Sequence, residues 1–390
     1  MCFSQKIVSV FLGILIIPCA IIQRILNVHE FYYVRWYDSL ILLVLFLLIG
    51  FVFLASKRVR ITFNVNFCIA VVLFLFSLSS LYSSFANREY GMLHVGICNV
   101  LILIDIFLVV FYISKYGNQV IFYKTIFYCL LFLCVVNDVL AFILPGRFYG
   151  NGQFVLYSKF AIAYLHMTLF ALSVELYNSK KFFCILIWLG SICMCVYTGC
   201  GTGITCFIAM ALVLLLPCNV KMQLCRPVVA LSCLFICSVF PFCYNLILNI
   251  PFIQYFVVDV LHKSLDLTSR TMIYNSLNRL ITQKPFFGFG QENNYNACQK
   301  YLKLNEYEYA PDIQNGLLDW VVSYGFIGAL LLLLLLFLCL YRGNISRNVI
   351  FISLIYAYFV AGSVEIPFDT LFFFIIALYA FHVDEKIGRL

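Results

Sequence analysis

At 390 residues, with 64% hydrophobic and 11% charged side chains and a mean hydropathy of +1.01, the chain lies far outside the soluble range of roughly half apolar and a quarter charged. This excludes an ordinary water-soluble enzyme and predicts an all-α, polytopic integral membrane protein, because lipid leaves the polar groups of an open sheet edge unsatisfied. The formal net charge is +8, yet no basic run interleaved with stacking aromatics stands outside the apolar segments, so no nucleic-acid partner is expected.

Apolar segments close to the ~20 residues that cross a hydrocarbon core recur along the whole chain. They fall at 7–26, 38–55, 63–83, 93–113, 122–144, 159–177, 182–198, 203–217, 227–247, 314–340, 348–364 and 367–383, about twelve helices within a range of ten to fourteen. The first has no small-residue cleavage site and reads as an anchor. Only Gly199-Cys200-Gly201-Thr202 separates 182–198 from 203–217, so that pair is either two crossings or one re-entrant hairpin. Together these segments predict a single membrane domain over 1–390, with one large extracytoplasmic loop at 248–313.

Orientation follows from the short loops. One alternating set carries Lys6, Lys57, Arg58, Arg60, Lys115, Lys124, Lys180, Lys181, Lys221, Arg226, Arg342, Arg347, Lys386 and Arg389. The other carries only Arg24, Arg35, Arg88, Arg147 and Lys159. Both termini are therefore expected in the cytoplasm of a bacterial inner membrane, and the long loop faces outward. Most of the 18 cysteines lie in apolar spans, where a free thiol behaves as a small hydrophobe. Cys200 and Cys298 fall outside them and could be joined in an oxidising compartment. No Cys or His spacing suggests a metal site, and no cofactor is expected.

Within the long loop, Ile273, Leu277, Leu280 and Ile281 recur at the spacing of one helical stripe, while Arg270, Tyr274 and Asn278 share another face. The spacing predicts an amphipathic helix that ends at Lys284, since the residue before Pro285 is biased out of the α region. Gly288-Phe-Gly290 permits a tight turn, and Asp312, Gln314 and Asn315 stand at the mouth of the next span. Other outward polar features are Pro145-Gly-Arg147-Phe-Tyr-Gly150-Asn151 with Lys159 beyond it, and Glu365-Ile-Pro-Phe-Asp369 in the last hairpin. Asn137-Asp138, in the outer half of a span, reads as a helix contact.

The order Pro-Gly-Arg147-Phe-Tyr-Gly150-Asn, Cys-Gly201-Thr-Gly203, Ser269-Arg270-Thr, Pro285-Phe-Phe-Gly288-Phe-Gly290, Gln314-Asn315-Gly-Leu-Leu-Asp319 and Tyr-Gly325-Phe-Ile-Gly328 resembles the bacterial O-antigen polymerase and ligase superfamily. The likeness runs over roughly residues 145 to 340. It implies an inverting membrane glycosyltransferase acting on undecaprenyl-diphosphate-linked oligosaccharide, in company with the bilayer and a chain-length regulator protein. It also implies that Arg147 and Arg270 hold the diphosphate. Ligases of that superfamily carry His-Asn where this chain has Gln314-Asn315, which points to a polymerase.

The residue chemistry supports the same expectation. A leaving diphosphate gathers negative charge that a guanidinium fork stabilises bidentately, and a carboxylate can take the proton of the attacking hydroxyl. Arg147, Arg270 and Asp312 are the candidate catalytic residues, with Glu292 and Glu365 as alternative bases. Lys159, Arg279, Glu292, Gln314, Asn315 and Glu365 are the candidate substrate-binding residues.

Overall fold

The computed structural model describes residues 5–25, 64–90, 93–144, 158–243, 250–255, 270–291, 293–302 and 312–383. The predicted span at 38–55, Arg147 and Glu292 lie outside the described residues.

Among the described residues every regular element is helical. In order they are α1 (Gln5–Ile25), α2 (Val65–Ala86), α3 (Leu93–Tyr116), α4 (Gln119–Ile143), α5 (Lys159–Tyr177), α6 (Lys181–Tyr197), α7 (Gly201–Leu215), α8 (Cys218–Leu224), α9 (Pro227–Val239), α10 (Pro251–Tyr255), α11 (Arg270–Gln283), α12 (Asn294–Tyr301), α13 (Gly316–Gly343), α14 (Val349–Ala361) and α15 (Thr370–Ala380). Apolar side chains make the helices, and small polar residues set where they begin. Asn118 accepts from the Ile121 amide at 2.9 Å, Ser158 from Ala161 at 3.1 Å and Asn315 from Leu318 at 3.1 Å. Asn348 and Asp369 each accept from two amides of the turn that follows. Such caps satisfy amides that have no partner inside the helix.

Among the described residues five helices, α2, α3, α4, α5 and α13, are long and apolar enough to cross a membrane, or six if α8 and α9, bent by 76° across a short break, form one span. The chain is thus a multi-pass membrane protein. The expected crossings at 182–198, 203–217, 348–364 and 367–383 correspond to helices of 17, 15, 13 and 11 residues, the first at the lower limit for a crossing and the others below it. At the last two, Gly362-Ser-Val364 and Pro367-Phe368 continue the apolar composition beyond the helix ends. The helical bonding of α14 stops at Ala361, and Asp369 starts α15 afresh.

Helix ends sort into two groups. At one end, Asn118 N donates to Ser9 Oγ (2.8 Å), Gln119 Nε2 to the Phe381 carbonyl (2.8 Å), Asn348 Nδ2 to Glu175 Oε2 (2.9 Å) and Tyr356 OH to the Leu224 carbonyl (3.0 Å). Lys115, Lys180, Lys181, Lys221, Arg226, Arg342 and Arg347 stand on the turns and helix ends of this group. At the opposite end, Thr370 Oγ1 donates to the Ala20 carbonyl (2.9 Å), Gly316 N to the Gly362 carbonyl (2.9 Å) and Asn315 Nδ2 to the Ser238 carbonyl (3.0 Å). In the middle, α15 is buried along its whole length against α1, α3, α13 and α14.

Candidate functional site

At the end without the basic turns, the described parts of the segment between α9 and α13, from α11 to the start of α13, pack on the bundle. In α11, Ile273, Leu277 and Leu280 are buried with Phe289, Ala297, Cys298, Leu302, Ile313 and Val322, so the apolar stripe forms a small satellite core. Ile281 packs at its edge, and Asn278 and Arg279 are exposed. The helix begins at Arg270 and ends at Gln283, immediately before Lys284-Pro285. Tyr274 turns its hydroxyl to the Gln314 carbonyl at 3.1 Å, which ties α11 to the start of α13.

The firmest attachment of this outer segment is a break in α13. Gly325 has φ 67° and ψ −177°, a region open essentially to glycine alone. The break frees the Val322 and Ser323 carbonyls, which accept from Phe289 N (2.9 Å) and Gly290 N (2.8 Å). On its far side, Phe326 N and Ile327 N donate to the Pro285 and Phe286 carbonyls at 2.8 and 3.1 Å. The Pro285–Gly290 turn is therefore inserted into a helix and satisfies the backbone groups that the kink exposes. Both glycines are required by space: a Cβ on Gly325 would stand 2.3 Å from Phe286 backbone atoms, and one on Gly288 (φ 66°) would stand 2.5 Å from Gly325 N. Asn87 Nδ2 of α2 closes the joint by donating to the Gly288 carbonyl at 3.1 Å. The sequence signal was the recurrence of both glycine pairs in the family order; their mutual contact was not legible from spacing.

Asp312, Gln314 and Asn315 form the neighbouring corner. Asp312 Oδ1 accepts from Gln314 N at 3.1 Å, and Gln314 adopts a left-handed φ of 51°. Asn315 is fully buried, with its carboxamide capping α13 and donating to the Ser238 carbonyl. It therefore holds the corner in shape. Asn315→Ala is expected to cost about 1–2 kcal/mol through the lost cap and the unpaired Ser238 carbonyl, read as a lower thermal midpoint of the purified protein; an unchanged midpoint would contradict this role.

Lys159 opens α5, with Nζ over the Phe160 ring at 5.5 Å. Its charge and that of Glu365 both act on the Cys200 thiol, which burial raises above the ordinary range for cysteine. The Gly316–Gly362 backbone bond joins the Asp312–Asn315 corner to the turn that carries Glu365. Cys200 and Cys298 are both free thiols. They do not pair because they sit in separate cores, Cys200 in the main bundle and Cys298 in the satellite cluster. Burial, with Asp319 and Asp312 adding to it, raises the Cys298 thiol to about 12. Of Arg270 the structure describes the backbone, at the first turn of α11.

Reasoning from sequence missed a second polar group. Asn294 Nδ2 donates to both Asp319 Oδ1 and Ser323 Oγ at 2.5 Å, and Ser79, Ser80, Ser83 and Ser84 of α2 are buried beside this joint. A narrow cleft lies next to it, lined by Asn99, Gln291, Tyr324, Asp369 and Thr370 over Phe76, Phe368 and Phe373. The signal available was Ser77-Leu-Ser-Ser-Leu-Tyr-Ser-Ser84, an unusual density of hydroxyls for a membrane helix. Neither curated proteins nor solved structures gave a match. Residues 185–333, which take in α11, the inserted turn and the break in α13, match the family model of the O-antigen ligases, and this match supports membership of the chain in the O-antigen polymerase and ligase superfamily.

Proposed function

We propose that the chain is a polysaccharide polymerase, a membrane glycosyltransferase that joins undecaprenyl-diphosphate-linked repeat units into O-antigen, capsule or exopolysaccharide. It would work at the outer face of a bacterial inner membrane, with about twelve crossings, cytoplasmic termini and the 248–313 loop outside. The observation that supports this reading is the insertion, at the end opposite the basic turns, of a family-matched outer segment into the broken α13, beside the Asp312–Asn315 corner. Members of the matched family are glycosyltransferase-like membrane enzymes, and a lipid-linked oligosaccharide is the substrate class this suggests.

In the proposed reaction the anomeric carbon of a growing chain leaves its diphosphate and is taken by a hydroxyl of the incoming unit. Arg147 and Arg270 supply guanidinium forks for the charge that develops on the leaving diphosphate, with Lys159 and Arg279 as further cations. Asp312 is the proposed proton acceptor, with Glu292 and Glu365 as the alternatives. Polymerisation is favoured over ligation because Gln314 is neutral and cannot take a proton, whereas the ligases carry histidine there. A flippase is a third reading; transporters place their sites near the midplane, where Asp105 is buried at the middle of α3, and the family match over 185–333 speaks for a transferase instead.

Deletion in the native host tests all three. Surface glycan reduced to single repeat units is the expected outcome. Full-length polymer retained on its carrier lipid would mean a ligase, and units trapped at the inner face would mean a flippase.

A further inference from the structure

A buried titratable group between α4, α5 and α6 takes no part in the proposed chemistry. His166 of α5 stands at its centre, with Nε2 3.3 Å from Asp138 Oδ1 of α4 and Nδ1 3.2 Å from Ser191 Oγ of α6. Asn137 Nδ2 supports the chain by donating to Asp138 Oδ1 at 3.1 Å. At 1.5 Å per residue, the three side chains stand about 7–11 Å inside the helix ends at Ile143, Lys159 and Tyr197, the ends opposite the basic turns. His166 and Ser191 are buried, whereas the Asp138 side chain is 22% exposed.

Hydrogen-bond accounting places the protons. The Ser191 hydroxyl has one, and its shorter contact, 2.7 Å to the Ile187 carbonyl, takes it. Ser191 Oγ therefore accepts from the ring, and Nδ1 carries hydrogen. Asp138 Oδ1 already accepts from Asn137, and imidazole is a stronger base than carboxylate, so the contact between Nε2 and Asp138 calls for a proton on Nε2 as well. Without it, a nitrogen lone pair would face a carboxylate where little water can separate them. Ionisable side chains inside a membrane are costly and mark function more often than packing.

The other neighbours do not supply this proton. Cys134, one turn before Asp138 on α4, lies beside the ring, and Cys195 of α6 stands near Asp138, but a thiol is a weak donor. Of the remaining helices packed on α5, α7 approaches through Gly203 facing Ala163, and α14 through Tyr358, whose ring stacks on Tyr164 at 5.1 Å.

We propose that Asp138 and His166 form a proton-operated latch. With its proton, the imidazolium ties α4, α5 and α6 together near their outer ends. In alkali the proton leaves through the partly exposed Asp138, and α4 is untied from the outer turns of α5, which begin at Lys159. The latch operates whatever reaction the outer end performs.

The test uses full-length protein in lipid nanodiscs, with isotope-labelled histidine rings whose nitrogen signals report in solid-state NMR whether each carries hydrogen. The chain has 5 histidines, so replacing the others one at a time assigns His166. At neutral pH both ring nitrogens of wild-type His166 are expected to be protonated. Asp138→Asn can donate its amide to Nε2 and should leave Nδ1 alone protonated. Hydrogen exchange, corrected for the intrinsic effect of pH, then reads the latch itself: in alkaline buffer the outer turns of α5 should lose protection about tenfold in wild type, the worth of one hydrogen bond to a charged group, and keep it in Asp138→Asn. A single protonated nitrogen in wild type at neutral pH overturns the assignment without recourse to any variant, as does an unchanged ring in Asp138→Asn. Equal loss of protection in both proteins, or none in wild type, overturns the latch.

Discussion

Arg270→Lys is expected to lower polymer formation about 100-fold while the protein still inserts and accumulates in the membrane. Losing one preorganised donor to a developing oxyanion costs ~10²–10³ in rate, and lysine restores the charge but not the planar fork that grips two phosphate oxygens together. Position adds to this: residue 270 opens α11, where the helix dipole already favours an anion. The measurement is the ladder of surface glycan chain lengths in a complemented deletion strain, with the protein level checked in membranes. A ladder of normal length from the lysine variant would remove Arg270 from the proposed diphosphate site.

Gly325→Ala is expected to release the outer segment from the bundle. A Cβ at this position meets Phe286 backbone at 2.3 Å, and the φ of 67° is itself unfavourable for alanine. Losing the four backbone bonds across the break and forcing that conformation together cost on the order of 4 kcal/mol. Hydrogen exchange is the direct readout: the amides of Phe289, Gly290, Phe326 and Ile327 should lose protection, and glycan synthesis should fail with them. Gly288→Ala should act alike from the other side of the joint. Gly190→Ala is the control, since nothing lies within 4 Å of a Cβ there. In that exposed helix interior alanine should be neutral or stabilise by up to ~1 kcal/mol. Unchanged protection in Gly325→Ala would show that the turn is not held by the break.

How much of this was legible depended on the kind of signal. The range of α5, 159–177, was readable to the residue because Ser158 caps it and an apolar run fills it. The stripe of α11 was readable because Ile273, Leu277 and Leu280 obey one period and Pro285 stops the helix. By contrast, α13 looked like one uninterrupted span. A glycine inside a long apolar run does not by itself signal a break, and what makes Gly325 a break is a partner turn some forty residues earlier. The Gly316–Gly362 bond, which brings the last hairpin to the Asp312–Asn315 corner, was hidden for the same reason, since contact between distant segments leaves no trace in local periodicity. Asn315 shows the opposite difficulty: a polar residue at a helix mouth suits either a ligand or a cap, and here the cap and the Ser238 carbonyl use both ends of its carboxamide.

The short central helix has a consequence for where chemistry can occur. With 11 residues, α15 rises only about 16 Å, roughly half of a ~30 Å hydrocarbon layer, and its far end is tied through Phe381 to Gln119 at the basic side. Its capped end, at Asp369 with Glu365 four residues before it, therefore lies only about half a crossing from the basic side, and the helix is packed among α1, α3, α13 and α14. Charges at such a packed helix end attract over longer distances than at an open surface. In the proposed polymerase, such a recess would let two lipid-borne repeat units bring their sugars together while both diphosphates stay with their carriers.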